Sequence, residues 1–382
     1  MKILIEIYHN IMWSKYKAAV FSSLYELTNS ENIKVSFIQI AETDADRTTL
    51  SAVDLSYHDY PCKLMFSGAY GAVPKFQLLR NLFVSVWNSK SELILLPGFH
   101  RPEYWAMLLA AVLKGTKRAV FCDSTIYDQR QSFAKGLLKR LFFFLCDGFF
   151  VYGKRARDYV IHYGAPRNKV FFRCQAAALP VEYSTELALH QRMTHAPCSE
   201  VPRFLYVGRL SPEKALDVLF QAFVIVHKNL PNSSLVLVGA GPQRQELEDL
   251  AKSLDIDDVV FFAGSMDADA LAVEYTKASC LVLPSFSEPW GLVVNEALSW
   301  GCPVVVSHRC GCTPELVENQ QTGLVFEAQN VDDLANNLIA VPARFADVEA
   351  TARLSLKLIS EYTPKVAAEE ILAGCKKILA CK

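Results

Sequence analysis

Several features are missing from this 382-residue sequence, and each absence excludes a class of protein. No stretch reaches the roughly 18 apolar residues that a helix needs to span a bilayer. The net charge is −1, so no overall positive field attracts nucleic acid, and no nucleic-acid-binding motif is present. The opening MKILIEIYHN is too short an apolar run for a secretory signal, and Glu6 interrupts it. We therefore expect neither a membrane-spanning protein nor a nucleic-acid partner.

The cysteine framework of a small secreted protein is also missing, although the chain has 11 cysteines. An odd number, scattered along the chain behind no secretory signal, indicates a reducing compartment and not a disulfide framework. We therefore expect a cytoplasmic protein. One cluster, His308 with Cys310 and Cys312, has soft ligands for a metal, but zinc usually takes four ligands and no second pair follows. The alternative is a loop of small buried side chains, which Gly311 turns near a bound nucleotide.

The composition predicts a globular chain with two domains. Hydrophobic residues make up 51% of the sequence and charged residues 21%, which is typical of folded proteins. The length exceeds the size at which a single hydrophobic core stops growing. Apolar strands alternate with helical segments on both sides of an irregular stretch, which predicts βαβ units and parallel sheets. We place the first domain at 1–180, a linker at 181–200, the second domain at 201–363 and a final amphipathic helix at 364–382.

The segment 137–152 (LLKRLFFFLCDGFFVY) is the nearest approach to a membrane helix. Lys139, Arg140 and Asp147 interrupt it, so it is not a spanning segment. We favour a buried helix followed by a buried strand at 149–152. The alternative is a basic, aromatic helix that lies on an anionic membrane and gives the protein a peripheral membrane contact.

Two carboxylates, Glu288 and Glu296, lie eight positions apart in the stretch SFSEPWGLVVNEALSWGCP, residues 285–303. The run CLVLP at 280–284 predicts a buried strand that ends just before Glu288, and the next residues predict a helix that carries Glu296. Open α/β sheets bind ligands beyond the carboxyl ends of their strands, and helix N-termini donate backbone N–H groups. The pattern predicts a binding site for a sugar nucleotide. The alternative is two glutamates on a solvated helix face.

Two cations follow an earlier predicted strand in the motif FLYVGRLSPEKAL, residues 204–216. Gly208 allows a close backbone turn, Arg209 can bind a diphosphate with two parallel hydrogen bonds, and Lys214 adds a point charge. A departing nucleoside diphosphate needs such groups, because negative charge builds on its phosphate as the glycosidic bond breaks. The alternative is a surface Arg and Lys beside a helix cap.

Together these motifs resemble the retaining glycosyltransferases of the GT-B type, specifically glycosyltransferase family four, also called glycosyl transferases group 1. The resemblance covers about the last half of the chain. It rests on five motifs that occur in the family's order: YVGRLSPEK at 206–214, LVLVGAGPQ at 235–243, VVFFAG at 259–264, LVLPSFSEPWGLVVNEALSWGCPVV at 281–305 and TGLVF at 322–326.

The resemblance implies an α/β fold of GT-B architecture, with two Rossmann-like βαβ domains facing across a cleft and a C-terminal helix that crosses back to the first domain. It implies a hexosyltransferase-like, metal-independent enzyme in glycan biosynthesis that transfers a sugar with retention from a nucleotide-diphosphate sugar to a hydroxyl acceptor. The acceptor is a glycan, a lipid-linked saccharide or a small molecule. No cofactor is expected.

The resemblance also assigns roles to single residues. It places the donor diphosphate on Arg209 and Lys214, beside Gly208, the donor sugar at Glu288, the ribose hydroxyls at Glu296, and backbone amides from Trp290, Gly291 and Leu292. The chain departs from the family in two of these motifs. Trp290 stands where the family more often has Phe, and Ala215 stands where Gly is usual.

The acceptor side is expected in the first domain, where the family pattern is less well kept. Many relatives have a glycine-rich loop after the first strand, whereas HNIMWSKYK at 9–17 contains no glycine. We expect Trp13 to help shape an acceptor pocket. Asp123 occupies a strand end where many relatives carry a His; it either binds sugar or acceptor hydroxyls or caps the next helix. His100, at the end of the preceding strand, is either in the cleft or structural.

Two acidic triplets, at 44–46 and 267–269, have DxD spacing. In a different glycosyltransferase architecture, a DxD motif holds a divalent metal. Arg209 and Lys214 can neutralise the diphosphate, which makes a metal redundant, so we interpret both triplets as solvated loops.

Two alternative functions belong to other classes of protein. An NAD-dependent oxidoreductase would use LVLVGAG at 235–241, but Arg244 replaces the third glycine of its fingerprint. A noncatalytic nucleotide-sugar-binding protein would lack the Arg, Lys or Glu that are present here.

Overall fold

The computed structural model describes residues 2–29, 31–44, 53–128, 132–197, 200–318 and 321–381. They form two compact units. The first comprises Met1–Ile126, Arg130–Ala178 and Thr363–Lys382, and the second comprises Tyr127–Gln129 and Leu179–Tyr362. Among the described residues, no helix is both long and apolar enough to cross a membrane.

The first unit is built on a parallel sheet of seven strands in the order β3-β2-β1-β4-β5-β6-β7. Its strands are β1 (Ile3–Ile11), β2 (Ile33–Thr43), β3 (Cys62–Ala69), β4 (Leu93–Leu96), β5 (Lys117–Cys122), β6 (Gly148–Val151) and β7 (Val170–Phe171). Its first helices are α1 (Lys15–Asn29), α2 (Lys75–Asn88), α3 (Pro102–Lys114), α4 (Phe133–Phe144) and α5 (Lys154–His162). The central strands β4 and β6 are buried along their whole length, as expected where helices cover both faces.

The second unit has a six-stranded parallel sheet in the order β10-β9-β8-β11-β12-β13. Its strands are β8 (Arg203–Val207), β9 (Ser234–Val238), β10 (Val260–Gly264), β11 (Cys280–Leu283), β12 (Val304–Ser307) and β13 (Gly323–Phe326). Its helices are α6 (Thr185–His195), α7 (Leu216–Asn229), α8 (Arg244–Ser253), α9 (Ala268–Lys277), α10 (Leu292–Ser299), α11 (Thr313–Leu316), α12 (Val331–Arg344) and α13 (Val348–Ile359). The predicted parallel βαβ architecture is therefore present in both units.

The last helix, α14 (Pro364–Ala380), belongs to the first unit and packs on α1. Lys376 Nζ donates to Glu31 Oε1 at 2.7 Å, just beyond the end of α1. Ile371 and Ile378 are buried in the same core cluster as the central strands. The C-terminal segment thus completes the core of the first unit.

The stretch predicted as a linker, 181–200, contains helix α6, which belongs to the second unit. The helix begins at Ser184, whose hydroxyl caps it by accepting from the Leu187 amide. Arg192 anchors it, because its buried guanidinium donates to the carbonyls of Thr276 and Ala278 at 2.9 and 2.6 Å. The apolar periodicity of this helix is weak, so the long-range contacts of Arg192 stabilise it, and the sequence does not show them.

Each sheet reverses its strand order at one point. In the first unit β1 lies between β2 and β4, and in the second β8 lies between β9 and β11. The crevice beyond the carboxyl ends of the strands at such a switch point is where open α/β sheets bind ligands. In the second unit, the loops after β8 and β11 therefore carry the candidate site.

Candidate functional site

The loop after β8 is held against the loop after β9 by backbone contacts. Gly208 N donates to the Val238 carbonyl and Leu210 N to the Ala240 carbonyl, both at 3.0 Å. A Cβ atom at Gly239 would come within 1.9 Å of the Gly208 carbonyl oxygen, so only glycine allows this approach. The Tyr206 hydroxyl fixes the same loop by donating to the Arg209 carbonyl at 2.7 Å. Gly239 therefore serves loop packing, which accounts for this part of the GxG pattern without a dinucleotide.

Arg209 is exposed at the tip of this loop and is held by one carboxylate. Its Nη2 lies 3.0 Å from Glu213 Oε1, which also accepts from the Ser211 hydroxyl at 2.7 Å. Desolvation opposes the ionisation of Glu213, but the hydrogen bond from Ser211 and the charges of Arg209 and Lys214 outweigh it and lower the pKa of Glu213. The guanidinium keeps about half of its side-chain surface exposed. It is therefore positioned by Glu213 and still accessible to an anion.

Lys214 and Glu288 form an ion pair between the loops that follow β8 and β11. Both side chains retain only 15% of their exposed surface, so the pair is largely withdrawn from water. Phe286 N donates to the Glu213 carbonyl at 3.1 Å, which ties the two loops together beside the pair. Ala215, directly after Lys214, has a left-handed backbone with φ of 51°, which explains why glycine suits that position better.

The loop that carries Glu288 is fastened to the loop after β12. Gly311 N donates to the Glu288 carbonyl at 2.9 Å, and Cys312 N donates to the Trp290 carbonyl at 3.0 Å. A Cβ atom at Gly311 would lie 1.7 Å from the Pro289 carbonyl oxygen, so the two backbones meet only because residue 311 is glycine. These contacts fix the height of Glu288 above the sheet.

Trp290 turns its side chain into the core. Only 3% of its surface is exposed, and its Nε1 donates to Asn295 Oδ1 at 2.8 Å. Gly291 follows with φ of 99°, and α10 begins at Leu292. The first amide groups of a helix have no partner within the helix, so the backbone at 290–292 has the geometry of an anion-binding helix N-terminus.

Glu296 lies in the second turn of α10 and accepts a hydrogen bond from a tyrosine on a neighbouring helix. The Tyr275 hydroxyl donates to Glu296 Oε2 at 2.7 Å. Burial raises the pKa of Glu296 to about 7, and the hydrogen bond from Tyr275 opposes that shift. Glu296 is therefore a carboxyl group whose charge changes near neutral pH. Tyr275, on α9, was missed by the sequence analysis, because 21 positions separate it from Glu296.

The cluster of His308, Cys310 and Cys312 follows β12, and the His308 side chain is half-buried. His308 Nδ1 accepts from Ala328 N at 2.9 Å and lies 3.3 Å from Glu327 Oε2. Cys310 and Cys312 are fully buried. Within the described ranges, no three or more His, Cys, Asp or Glu side chains converge as a metal site requires.

The acidic triplets have different structural settings. In the triplet 267–269, Asp267 is the N-cap of α9 and accepts from Ala270 N at 2.8 Å, while Asp269 lies in the first turn. The triplet is therefore exposed to solvent, as expected, but it forms the start of a helix and not a loop throughout. Of the triplet 44–46, residues 45 and 46 lie outside the described residues, so only Asp44 can be placed.

The three acceptor-side candidates lie at the carboxyl edge of the first sheet. Trp13 follows β1, and its amide donates to the Glu42 carbonyl at 2.9 Å. His100 follows β4 and packs edge-on against Tyr104; desolvation and then the nearby Arg101 charge lower the pKa of His100. Asp123 is exposed directly after β5. It does not cap the next helix described, because the N-cap of α4 is Ser132.

Lys17 was missed by the sequence analysis and lies at the same edge. Its side chain is buried between the rings of Phe121 and Tyr152, 4.6 and 4.9 Å from their centres. No hydrogen-bond partner for its Nζ occurs in the part of the chain that the structure describes. Burial lowers the pKa of Lys17 to about 8. Only the helical period, which points Lys17 inward, could have indicated this.

The second unit is similar in sequence to known glycosyltransferases. Residues 191–342 match the family described as glycosyl transferases group 1. An uncharacterized glycosyltransferase of Methanocaldococcus jannaschii is 36% identical over 131 residues, which cover 34% of this chain and 33% of that protein. The chain thus aligns with about a third of the length of this relative.

Solved structures match the whole chain in fold. The apo lipopolysaccharide outer core galactosyltransferase WaaB has a TM-score of 0.72 at 14% identity, and 99% of each chain is covered. The Anabaena protein HepE, solved with UDP-glucose, has a TM-score of 0.70 at 16% identity, with 98% of this chain and 100% of that chain covered. The chain therefore has the GT-B fold of two Rossmann-like domains, and its residues 191–342 match the glycosyl transferases group 1 family.

Proposed function

We propose that this protein is a retaining glycosyltransferase that transfers a sugar from a nucleoside diphosphate sugar to a hydroxyl acceptor. The observation that carries the proposal is the ion pair of Lys214 and Glu288, with the accessible guanidinium of Arg209 on the same loop as Lys214. The group 1 family match and the UDP-glucose bound by HepE support the choice of donor class.

The donor diphosphate binds Arg209 and Lys214. Both cations are held by carboxylates, Arg209 by Glu213 and Lys214 by Glu288. When the donor binds, each cation exchanges its carboxylate partner for an oxygen of the diphosphate. As the glycosidic bond breaks, the electron pair of that bond goes to the phosphate oxygen, where the two cations stabilise the new charge. These two groups replace the metal ion, so the reaction is metal-independent.

The donor sugar lies at Glu288, which is released from Lys214 when that ammonium turns to the phosphate. The carboxylate then accepts from sugar hydroxyls and stabilises the positive charge on the anomeric carbon. Glu296 accepts from the ribose hydroxyls, and the amides at 290–292 donate to the sugar or phosphate. The fixed loop geometry around Gly311 supports these roles, because preorganised groups need no rearrangement during the reaction.

Retention follows from attack on the same face from which the diphosphate departs. The acceptor hydroxyl forms the new bond to the anomeric carbon, and its proton passes to the departing phosphate oxygen. No separate protein base is needed. Trp13, His100 and Asp123 at the carboxyl edge of the first sheet are the groups that receive the acceptor.

We place the reaction in the cytoplasm. The ten cysteines among the described residues are all free thiols, and a reducing compartment keeps thiols in this state. Nine of the ten are buried or half-buried.

The test is donor hydrolysis and transfer by the purified chain. Nucleoside diphosphate release is measured with uridine and guanosine diphosphate sugars, with and without hydroxyl acceptors, and the anomeric configuration of the product is read by NMR. Thermal shift with the same donors reports binding. Donor binding without turnover across acceptors would indicate the noncatalytic nucleotide-sugar-binding alternative, and an inverted product would overturn retention.

A further inference from the structure

Helix α4 of the first unit exposes most of its apolar side chains. Phe133 and Phe144 are 93% and 83% exposed, and Leu137, Leu138 and Leu141 are each about half exposed or more. Only Phe142 and Phe143 enter the core. The favoured sequence interpretation of a buried helix was therefore wrong for α4, because just one narrow side of it faces the sheet.

Two neighbouring helices extend this apolar surface. Helix α2 packs on α3, and α3 contacts α4 through Trp105, whose ring lies 5.0 Å from that of Phe142. Each helix has an outward stripe at helical spacing. The exposed apolar members are Phe76, Val84 and Trp87 on α2 and Leu109 and Leu113 on α3. Together with α4 they hold more than half of the large hydrophobic side chains that are exposed among the described residues.

The charges on this three-helix face, formed by α2, α3 and α4, all have one sign. Lys75 and Arg80 on α2 and Lys135 and Arg140 on α4 are exposed, and neither helix contains a carboxylate. The one acidic residue of α3, Glu103, is buried and accepts from the Tyr70 hydroxyl at 2.6 Å. The whole chain has a net charge of −1, so this face differs sharply from the average surface.

We infer that the three-helix face lies on an anionic lipid bilayer, with the apolar stripes in the headgroup region and the cations on the lipid phosphates. Exposed aromatic and leucine side chains interspersed with lysine and arginine are the chemistry of an interfacial surface. A second copy of this chain fits less well, because a symmetric contact through this face would bring like charges together.

The orientation of the face suits a lipid-held substrate. In a parallel βαβ unit the helix begins at the carboxyl edge of the sheet, so the first turns of α2 and α4, with Phe76 and Phe133, lie at the edge that carries Trp13 and Asp123. A bilayer at this face would supply the hydroxyl acceptor from a lipid. That last step rests on the proposed function, whereas the membrane contact does not.

The contact is tested by vesicle flotation of the full chain, with vesicles of phosphatidylcholine alone and of phosphatidylcholine mixed with phosphatidylglycerol. We expect flotation with the anionic vesicles, and loss of it as salt is raised. K135Q/R140Q should weaken partitioning by about 30-fold, since each cation near an anionic surface contributes about fivefold. F133Q/F144Q should weaken it by about 100-fold, because two large apolar side chains lose their burial in lipid.

Matched controls are F261Q and K252Q, which alter an exposed phenylalanine and an exposed lysine of the second unit. Both should float like the unaltered chain. Equal flotation of all variants, or equal flotation with neutral vesicles, would overturn the inference. Sedimentation velocity without lipid gives the mass of the particle in solution. A mass of two chains for the unaltered protein and of one chain for F133Q/F144Q, with no flotation, would assign the face to a second copy and also overturn the inference. Donor binding, followed by thermal shift, is a separate readout for the proposed function.

Discussion

Lys214 and Glu288 pair directly although 74 positions separate them in the sequence. The pairing is possible because β8 and β11 are neighbours in the sheet, so the loops that follow them emerge side by side. An ammonium and a carboxylate that are both largely withdrawn from water hold each other in place for a charged ligand.

R209A and K214A should each lower kcat/KM for the donor by about 150-fold, equivalent to about 3 kcal/mol of transition-state stabilisation. The reason is that each removes a charge opposite the departing diphosphate. R244A is the matched control, because Arg244 pairs with Glu248 four positions later, as Arg209 does with Glu213, and is similarly exposed. Steady-state kinetics with near-normal values for both site variants would sink the phosphate assignment.

Chelation should leave the initial rate unchanged. Two cations neutralise the diphosphate in the proposed reaction, so excess EDTA removes nothing that the transfer needs. The measurement is the initial rate before and after dialysis against chelator, with Mg²⁺ and Mn²⁺ added back. Activity that disappears and returns with either ion would require a metal in the mechanism.

E296Q and E288Q should separate kinetically. Ribose hydroxyls lie away from the bond that breaks, so E296Q should raise KM for the donor by about 10- to 150-fold, equivalent to about 1.5–3 kcal/mol, and leave kcat nearly intact. E288Q acts at the sugar and should lower kcat as well. Donor is varied at saturating acceptor. The opposite division of effects would reverse the two roles.

The same carboxyl predicts a pH dependence. Because burial raises the pKa of Glu296 to about 7, the free protein gains the carboxylate only as pH rises through 7. The ionised form accepts both ribose hydrogen bonds, so kcat/KM for the donor should rise across this range. The nucleoside diphosphate sugar has no titrating group there, and E296Q should remove this rise. A rise of equal size in E296Q would assign the titration to another group.

K17M should be more stable than the unaltered protein at pH 7, by up to about 3 kcal/mol. The folded pKa of Lys17 is about 8, below the ordinary value of 10.5, so the unfolded chain binds more protons between these values. The stability of the unaltered protein therefore rises with pH from about 8 to 10.5, and the advantage of K17M should shrink over that window. Urea unfolding at several pH values measures it.

The control for that series is K15M, on the same helix. Lys15 Nζ is partly exposed and lies 2.9 Å from Asp54 Oδ2, so its replacement should change stability by less than about 1 kcal/mol. A K17M protein that is less stable than the unaltered chain at pH 7 would show that the buried ammonium is satisfied by its two aromatic rings.

The sequence predicted the strands and the helix that border the site, but not the side-chain contacts within the site. The strands before Gly208 and Glu288 were visible as short apolar runs, and α10 was visible from its helical pattern and the glycine that stops it. Strand β3 is hard to predict from the sequence, because it is a half-buried edge strand with no clean alternation. The same holds for helix α2, since its exposed Phe76 and Trp87 disturb the amphipathic pattern.

By itself, the sequence determined the alternation of strands and helices, the parallel sheets and the local placement of charged residues beyond strand ends. These depend on periodicity and turn chemistry, which act between near neighbours in the chain. Only the tertiary structure decided that Lys214 holds Glu288, that Tyr275 supports Glu296 and that Lys17 is buried. Strand order sets these contacts, and it joins segments whose separation in sequence carries no record of their distance in space.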